Sequence, residues 1–410
     1  MKKMMSSQNY SYRWIMAVIT GVVTATSFIS LTSFGVAVPF IAKFMKMNTN
    51  VVSTFGVDAF SIGLFAAFFV GSSGFFDTKI KLGVIVAQLL LIVPQVLIPN
   101  VSSLWLLTIL RFSQGLVIMV LALFSVQLAG WFKPSERAIS LSFTMGAIPL
   151  GGAIGGVLAG HLLILGWQGM YYASALIMVM GAFIYFVFAR NPKGFEEKIL
   201  SSKQKVHETV WNKKITWIMG FLPAPVAWSL FSLGGFLPNF GYHLGYKASQ
   251  VGDLMLVWGA VGAISCFVGA LIGDRMVKNK KSDIEIFHAR LDVMMMANIL
   301  AGIGALIMIF LGSSSFIWLM VGATINTFSQ ILAPNYWASL SNVFPTALMG
   351  TGAFAMGLLS NVPSAIGPLI SSFMIDKIGW DGFFALIVLL SGVGVILNIL
   401  AAHSKTPLSE

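Results

Sequence analysis

Twelve apolar runs, most of them long enough to cross a lipid bilayer, leave this chain few ways to fold. A bilayer core needs about 20 apolar residues per helix. Such runs lie at roughly 14–42, 54–76, 82–99, 103–131, 138–164, 168–189, 215–243, 249–272, 289–311, 315–340, 348–375 and 381–402. Separators such as Pro99-Asn100-Val101-Ser102 and Gly312-Ser313-Ser314-Ser315 are short and turn-like. Of the 410 residues, 57% are hydrophobic and 10% charged, against about 25% charged in a soluble protein, so an ordinary water-facing surface cannot be built. The first run is far longer than a signal core of about 7–15 residues and reads as a retained helix. The expectation is an all-α membrane protein of twelve transmembrane helices in two pseudo-symmetric six-helix bundles.

One connector alone is long. Residues 190–214 are polar and lysine-rich, so the chain divides into an N-terminal bundle (1–189), a linker (190–214) and a C-terminal bundle (215–410). With both termini on the cytoplasmic side, twenty of the 25 Lys and Arg residues face inward; Lys43, Lys46, Lys247 and Lys377 fall outside, and Arg111 lies within a helix. This excess of inner positive charge orients membrane proteins. It accounts for the net charge of +11 without a nucleic acid, which would need one readable basic face. The chain is expected in the cell membrane, working as a monomer. Its one cysteine, Cys266, lies in an apolar run, so neither an intrachain disulfide nor a thiol metal cluster is expected.

The halves repeat. Asp77 precedes Lys79 and Lys81, as Asp274 precedes Arg275 and Lys278, and Gly166-Trp167-Gln168-Gly169 returns as Gly379-Trp380-Asp381-Gly382. Internal repeats let transporters build a midplane site that opens to alternate sides.

Over the whole chain these residues resemble the major facilitator superfamily. The family's motif between helices two and three, Gly-x-Leu-x-Asp-Arg-x-Gly-Arg-Arg, is met by Ser73-Gly74-Phe75-Phe76-Asp77-Thr78-Lys79-Ile80-Lys81, which keeps the Asp but lacks the leading Gly, the following Arg and the next Gly. The second copy, Gly269-Ala270-Leu271-Ile272-Gly273-Asp274-Arg275, is nearer. The resemblance implies a cytoplasmic gate at Asp77, Asp274 and Arg275. Leu110-Arg111-Phe112-Ser113-Gln114-Gly115 is similar to the family's Arg-x-x-x-Gly motif in helix four. The glycines of helix five, from Gly146 to Gly160, resemble the anion-symporter and organophosphate-permease branches. Against those branches, no Arg occurs in the runs of helices one, two, seven, eight or eleven, and helix four has no Glu soon after Arg111.

An Arg at a helix centre costs about 2.5–3.5 kcal/mol to insert, so Arg111 must face the bundle interior or water. It is either a substrate contact, with Gln114 beside it at i+3, or an Arg satisfied by neighbouring carbonyls. Asn326 and Gln330 share a face of helix ten, and Asn361 stands beside Pro363 in helix eleven. Thr20, Thr24 and Ser27 stripe helix one, and helix seven holds Trp228, Pro238 and Asn239. Arg111, Gln114, Trp228, Asn326, Gln330 and Asn361 form the candidate substrate set, each also readable as a helix–helix contact. Asp58, and less so Asp253, is a candidate proton carrier or a helix-end charge. His161 is interfacial. No metal or cofactor is expected.

The expected function is a secondary transporter of a small organic solute, an organic anion or zwitterion favoured by Arg111, with the proton as candidate coupling ion. A facilitative uniporter and a drug or metabolite exporter are alternatives, as is a non-transporting receptor or assembly subunit. An enzyme is not expected, since no convergent catalytic set occurs.

Overall fold

The computed structural model describes residues 7–71, 76, 79–192, 209–345 and 348–404. Within them the chain forms twelve helical spans. In the first half these are α1 (Ser7–Met45), α2 (Thr49–Gly71), α3 (Ile80–Leu97), α4 (Leu104–Gly115 continuing as Met119–Trp131), α5 (Arg137–Leu162) and α6 (Gly166–Phe188). In the second they are α7 (Lys214–Phe221, Ala224–Trp228 and Gly234–His243), α8 (Ala248–Val277), α9 (Asp283–Phe310), α10 (Phe316–Phe328 continuing as Leu332–Val343), α11 (Met349–Ser360 and Val362–Ile378) and α12 (Trp380–Ala402). Successive spans are antiparallel, so both ends of the chain lie on one face, the terminal side; the opposite face is the far side. Most of the linker, residues 193–208, lies outside the described residues.

Most predicted runs become one span each, because a lipid-crossing segment must satisfy its backbone internally. Two of the boundaries that differ bring charged residues into a span. Helix α9 starts at Asp283, six residues before the predicted 289, because Ser282 and Glu285 form a reciprocal capping box. Helix α1 starts early enough to take in Arg13, which pairs with Glu136 at 2.5 Å across the terminal side.

The two bundles repeat in geometry as well as sequence. Helix α4 is interrupted by a 3-10 turn at Leu116–Ile118 and α10 by one at Ser329–Ile331, an offset of 213 residues (329 less 116). Gly166 and Gly379, separated by the same offset (379 less 166), both have positive φ (75° and 89°) where the chain turns into α6 and α12, a conformation glycine adopts without strain. Inside each half the packing matches too: α1 lies on α5 as α7 lies on α11, α2 on α4 as α8 on α10, and α3 on α6 as α9 on α12.

Small residues set the closest approaches. A Cβ on Gly63 of α2 would meet the Phe112 carbonyl oxygen at 2.1 Å, and one on Gly115 of α4 the Phe60 oxygen at 2.1 Å. With little hydrophobic drive between helices in lipid, such backbone contact is what holds them. Large apolar side chains on the outer surface, Trp105, Phe69, Leu176, Phe310 and Ile317 among them, are exposed, as a lipid-facing surface requires.

Candidate functional site

Four helices depart from regular α geometry at about mid-length, and their departures meet. The 3-10 turns of α4 and α10, the break of α7 at Leu222–Pro223 and the break of α11 at Asn361 all border one cavity between the bundles. It encloses about 80 Å³. Irregular backbone at membrane depth is tolerated where it lines such a space.

The two walls differ in chemistry. The first bundle contributes Ile118 and Leu121 of α4 with Met145 and Ile148 of α5, all apolar. Every polar lining group comes from the second bundle: Gln330, Tyr336 and Trp337 of α10, and Ser360 and Asn361 of α11. The Gln330 amide has no hydrogen-bond partner among the described residues. Tyr336 donates to the Met356 carbonyl at 3.2 Å, and Asn361 donates through Nδ2 to the Gly357 carbonyl at 2.8 Å. No carboxylate or cation stands among the lining residues.

Below the cavity, on the terminal side, the bundles are locked together. Phe68 of α2 stacks on Trp337 (centroids 6.4 Å apart, 23° between planes) and meets Phe354 of α11 edge-on; Phe143 of α5 meets Phe267 of α8 edge-on at 5.3 Å. Closer to the surface, the Asp274 carboxylate at the end of α8 accepts from two main-chain N–H groups in the first turn of α5, Ala138 at 3.2 Å and Ile139 at 2.8 Å. These donors are orphaned by the helix start and carry its positive dipole end. Arg290 of α9 donates to Asp274 Oδ1 at 2.9 Å and to the Pro134 carbonyl at 2.6 Å. Asn335 of α10 accepts from Arg290 at 2.9 Å and donates to the Gly269 carbonyl at 2.8 Å. Arg137 donates to Ser341 at the end of α10. Of these hydrogen bonds, those of Ala138, Ile139, Pro134 and Ser341 join the two bundles on the terminal side.

Placed on this geometry, the predicted residues separate. Gln330 and Asn361 line the cavity. Asn326 is fully buried one turn away and donates to Ser229 Oγ and the Ala301 carbonyl. Trp228 packs inside the second bundle beside Gly367. Arg111 and Gln114 lie within the first bundle, Arg111 donating to the Gly56 carbonyl at 3.1 Å and to Gln114 Oε1 at 2.7 Å. Thr20 and Ser27 are spent likewise, on Thr144 and Gln88. Asp58 is half-buried on α2 without a partner among the described residues, and Asp253 and His161 are exposed. Asp274 sits in the inter-bundle network, whereas Arg275 is exposed beside it; Asp77 lies outside the described residues. Sequence reasoning missed Arg290, which it counted among the inner-side charges although the run 289–311 includes it, and Tyr336, Trp337 and Asn335, which read as ordinary helix residues.

Two bundles meeting at a mid-depth cavity, joined on one side by a polar network, define the architecture of helical solute carriers. Comparison with known proteins agrees. The sequence profile of the Major Facilitator Superfamily matches residues 20–282, and the chain belongs to that family of transporters. A hexuronate transporter of Bacillus subtilis is 22% identical over 294 residues, covering 68% of this chain and 67% of that protein. A putative transporter, AmpG 1, of Rickettsia felis is 25% identical over 166 residues, 39% of this chain and 35% of its own length. Among solved structures, the human organic anion transporter MFSD10 superposes with a TM-score of 0.72 at 14% identity, covering 95% of this chain and 99% of its own. The proton:xylose symporter XylE, bound to 6-bromo-6-deoxy-D-glucose, gives 0.77 at 12% identity, covering 97% and 96%. At these identities the likeness establishes the fold.

Proposed function

We propose that this protein is a secondary transporter that moves a small organic solute across the cell membrane by alternating access, with both termini cytoplasmic and the solute held at the inter-bundle cavity. The observation that carries this reading is the meeting of four helix breaks around a space with an unpaired amide, Gln330, in its wall. Pockets for small molecules pair an apolar lining with a few placed polar groups, and this one does so with Gln330, Ser360, Asn361 and Tyr336. The polar wall is neutral, which favours a solute recognised through hydroxyl, amide or carbonyl groups over one recognised through a formal charge. Arg111, on which an anionic solute rested in the sequence, is engaged elsewhere.

In this reading the terminal side is the cytoplasmic gate, shut by Asp274, Arg290 and the first turn of α5, and the chain stands in its cytoplasm-closed state. The chain divides at residues 190–214 into two moving bundles and works as a monomer. Asp58 is the proton carrier: it is the half-buried carboxylate of α2 whose charge no described partner neutralises. One proton entering down 100 mV yields about 2.3 kcal/mol, enough for roughly 40-fold accumulation. A cavity wall without a carboxylate favours a second reading, uncoupled uniport. Uptake of mixed neutral and acidic small solutes into proteoliposomes, with and without an imposed proton gradient, tests both. Gradient-driven accumulation abolished in Asp58→Asn supports the symporter. Gradient-independent equilibration unchanged in Asp58→Asn supports uniport, and no uptake of any solute would remove the transport reading.

A further inference from the structure

Helix α4 carries a guanidinium into the far-side half of the first bundle, and no carboxylate among the described residues pairs with it. Arg111 is 1% exposed. Its Nε and Nη1 donate to the carbonyls of Gly56 (3.1 Å) and Ser30 (3.4 Å) and to Gln114 Oε1 (2.7 Å). Its two faces carry the rings of Phe34 and Phe60, with centroids 4.1 and 4.7 Å from Cζ. Neutral acceptors and ring faces spread the charge without cancelling it, and arginine does not give up its proton in proteins. An uncompensated buried charge is costly. Among the described titratable groups, the phenol of Tyr171 on α6 is near enough to feel the charge of Arg111. Asp58 lies two residues from both Gly56 and Phe60, on the other side of α2, half-buried and not ion-paired with Arg111.

What remains unpaired around the guanidinium has hydrogen to give. Gln114 donates to Gln95 Oε1 at 2.7 Å, which leaves the Gln95 Nε2 group without a partner, and the Tyr171 hydroxyl has none either. Both side chains are buried, at 0% and 1% exposure. Ser33, one turn from Ser30, and Ser174, one turn from Tyr171, add two more unpartnered hydroxyls. The amide and carbonyl acceptors next to Arg111 are already engaged. A lone positive charge with surplus donors and spent acceptors suits a small anion, and suits neither a cation nor a neutral solute.

We infer that Arg111, Gln95 and the Tyr171 hydroxyl form a binding site for a small inorganic monovalent anion, of the class of chloride, inside the first bundle. None of the three lines the inter-bundle cavity, so the site stands apart from the transported solute and does not depend on what that solute is. Its anion neutralises Arg111 and fills the hydrogen bonds that α3 and α6 leave open, and thereby ties α1, α3, α4 and α6 together.

The test is thermal unfolding of the purified full chain in a chloride-free sulfate buffer, exchanging sulfate for chloride, bromide or nitrate at constant ionic strength, with no organic solute present. A ligand that binds the folded state raises the midpoint saturably, and chloride and bromide are expected to do so. Tyr171→Phe and Gln95→Met should each raise the half-saturating chloride concentration about tenfold, and Arg111→Met should abolish the response. Should Arg111→Met fail to fold, the two milder variants carry the comparison. A wild-type midpoint indifferent to all three anions overturns the site, as does a rise that the variants leave unchanged. In a parallel titration with glucuronate in the same sulfate buffer, a rise where the three inorganic anions give none would give Arg111 to the transported solute and overturn the inorganic site; none of these results bears on whether the protein transports.

Discussion

Asp274 and Arg290 share a 2.9 Å hydrogen bond within the second bundle, and each then reaches across to the first: Asp274 to the N–H groups of Ala138 and Ile139, Arg290 to the carbonyl of Pro134. The pair is close to neutral in itself, so what it contributes across the bundles is a set of charge-assisted hydrogen bonds that exist only while the terminal side is shut. Hydrogen bonds to charged groups contribute about 1.5–3 kcal/mol each, against about 1 for neutral ones.

Replacing Asp274 with Asn should therefore weaken closure by about 1–2 kcal/mol, shifting the closed-to-open ratio roughly 5- to 30-fold toward opening on the terminal side. Spin labels placed at the ends of α5 and α10 report this as a longer inter-bundle distance population. An unchanged distance distribution would remove Asp274 from the closure.

Arg290→Ala is expected to be worse than Asp274→Asn. It strands a largely buried carboxylate, a loss of about 3–5 kcal/mol, and should lower the unfolding midpoint as well as open the terminal side. The double variant Asp274→Asn/Arg290→Ala should recover part of that loss, which unfolding in detergent would read directly.

Gln330→Ala removes the unpaired amide of the cavity wall without leaving a bonded neighbour stranded. Solute affinity should fall about tenfold, the worth of one hydrogen bond near 1.4 kcal/mol, while the unfolding midpoint stays put. Trp228→Phe, buried in the second bundle and outside the cavity lining, should leave affinity within about twofold. Equal effects of the two substitutions on solute binding would place the site elsewhere.

Gly63→Ala inserts a methyl group where the Phe112 carbonyl already stands, 2.1 Å from the added carbon. The α2–α4 contact must part, at a cost of about 1–3 kcal/mol, visible as a lower unfolding midpoint. Gly392→Ala, with nothing within 4 Å of the added carbon, is the matched control and should be neutral or better.

The twelve spans were legible in the chain because the bilayer imposes a length and a hydropathy that local sequence must meet. Their interruptions were not. The 3-10 turns at Leu116–Ile118 and Ser329–Ile331 contain neither proline nor glycine, and they sit where each span packs on its own bundle, on α2 and α3 in the first half and on α8 and α9 in the second, which no residue's own preference announces. The same holds for the candidate site. Gln330 and Asn361 could be named from their polarity at mid-depth, but polarity alone could not tell them from Asn326 or Arg111, whose hydrogen bonds close inside their own bundles. Arg290 escapes notice because a start at 289 leaves it at the helix's edge among the inner charges, although Ser282 and Glu285 carry a capping-box spacing that announces a start six residues earlier.

What Asp274 grips on α5 is main chain. An N–H group is offered by every residue except proline, so the bond at the half-buried Ile139 does not depend on which side chain stands there, while Ala138 is held small by its full burial and the second bundle must keep its carboxylate. Sequence drift at residue 139 is thus free where residue 274 is constrained, and a proline at 139 would remove the shorter of the two N–H bonds without touching Asp274.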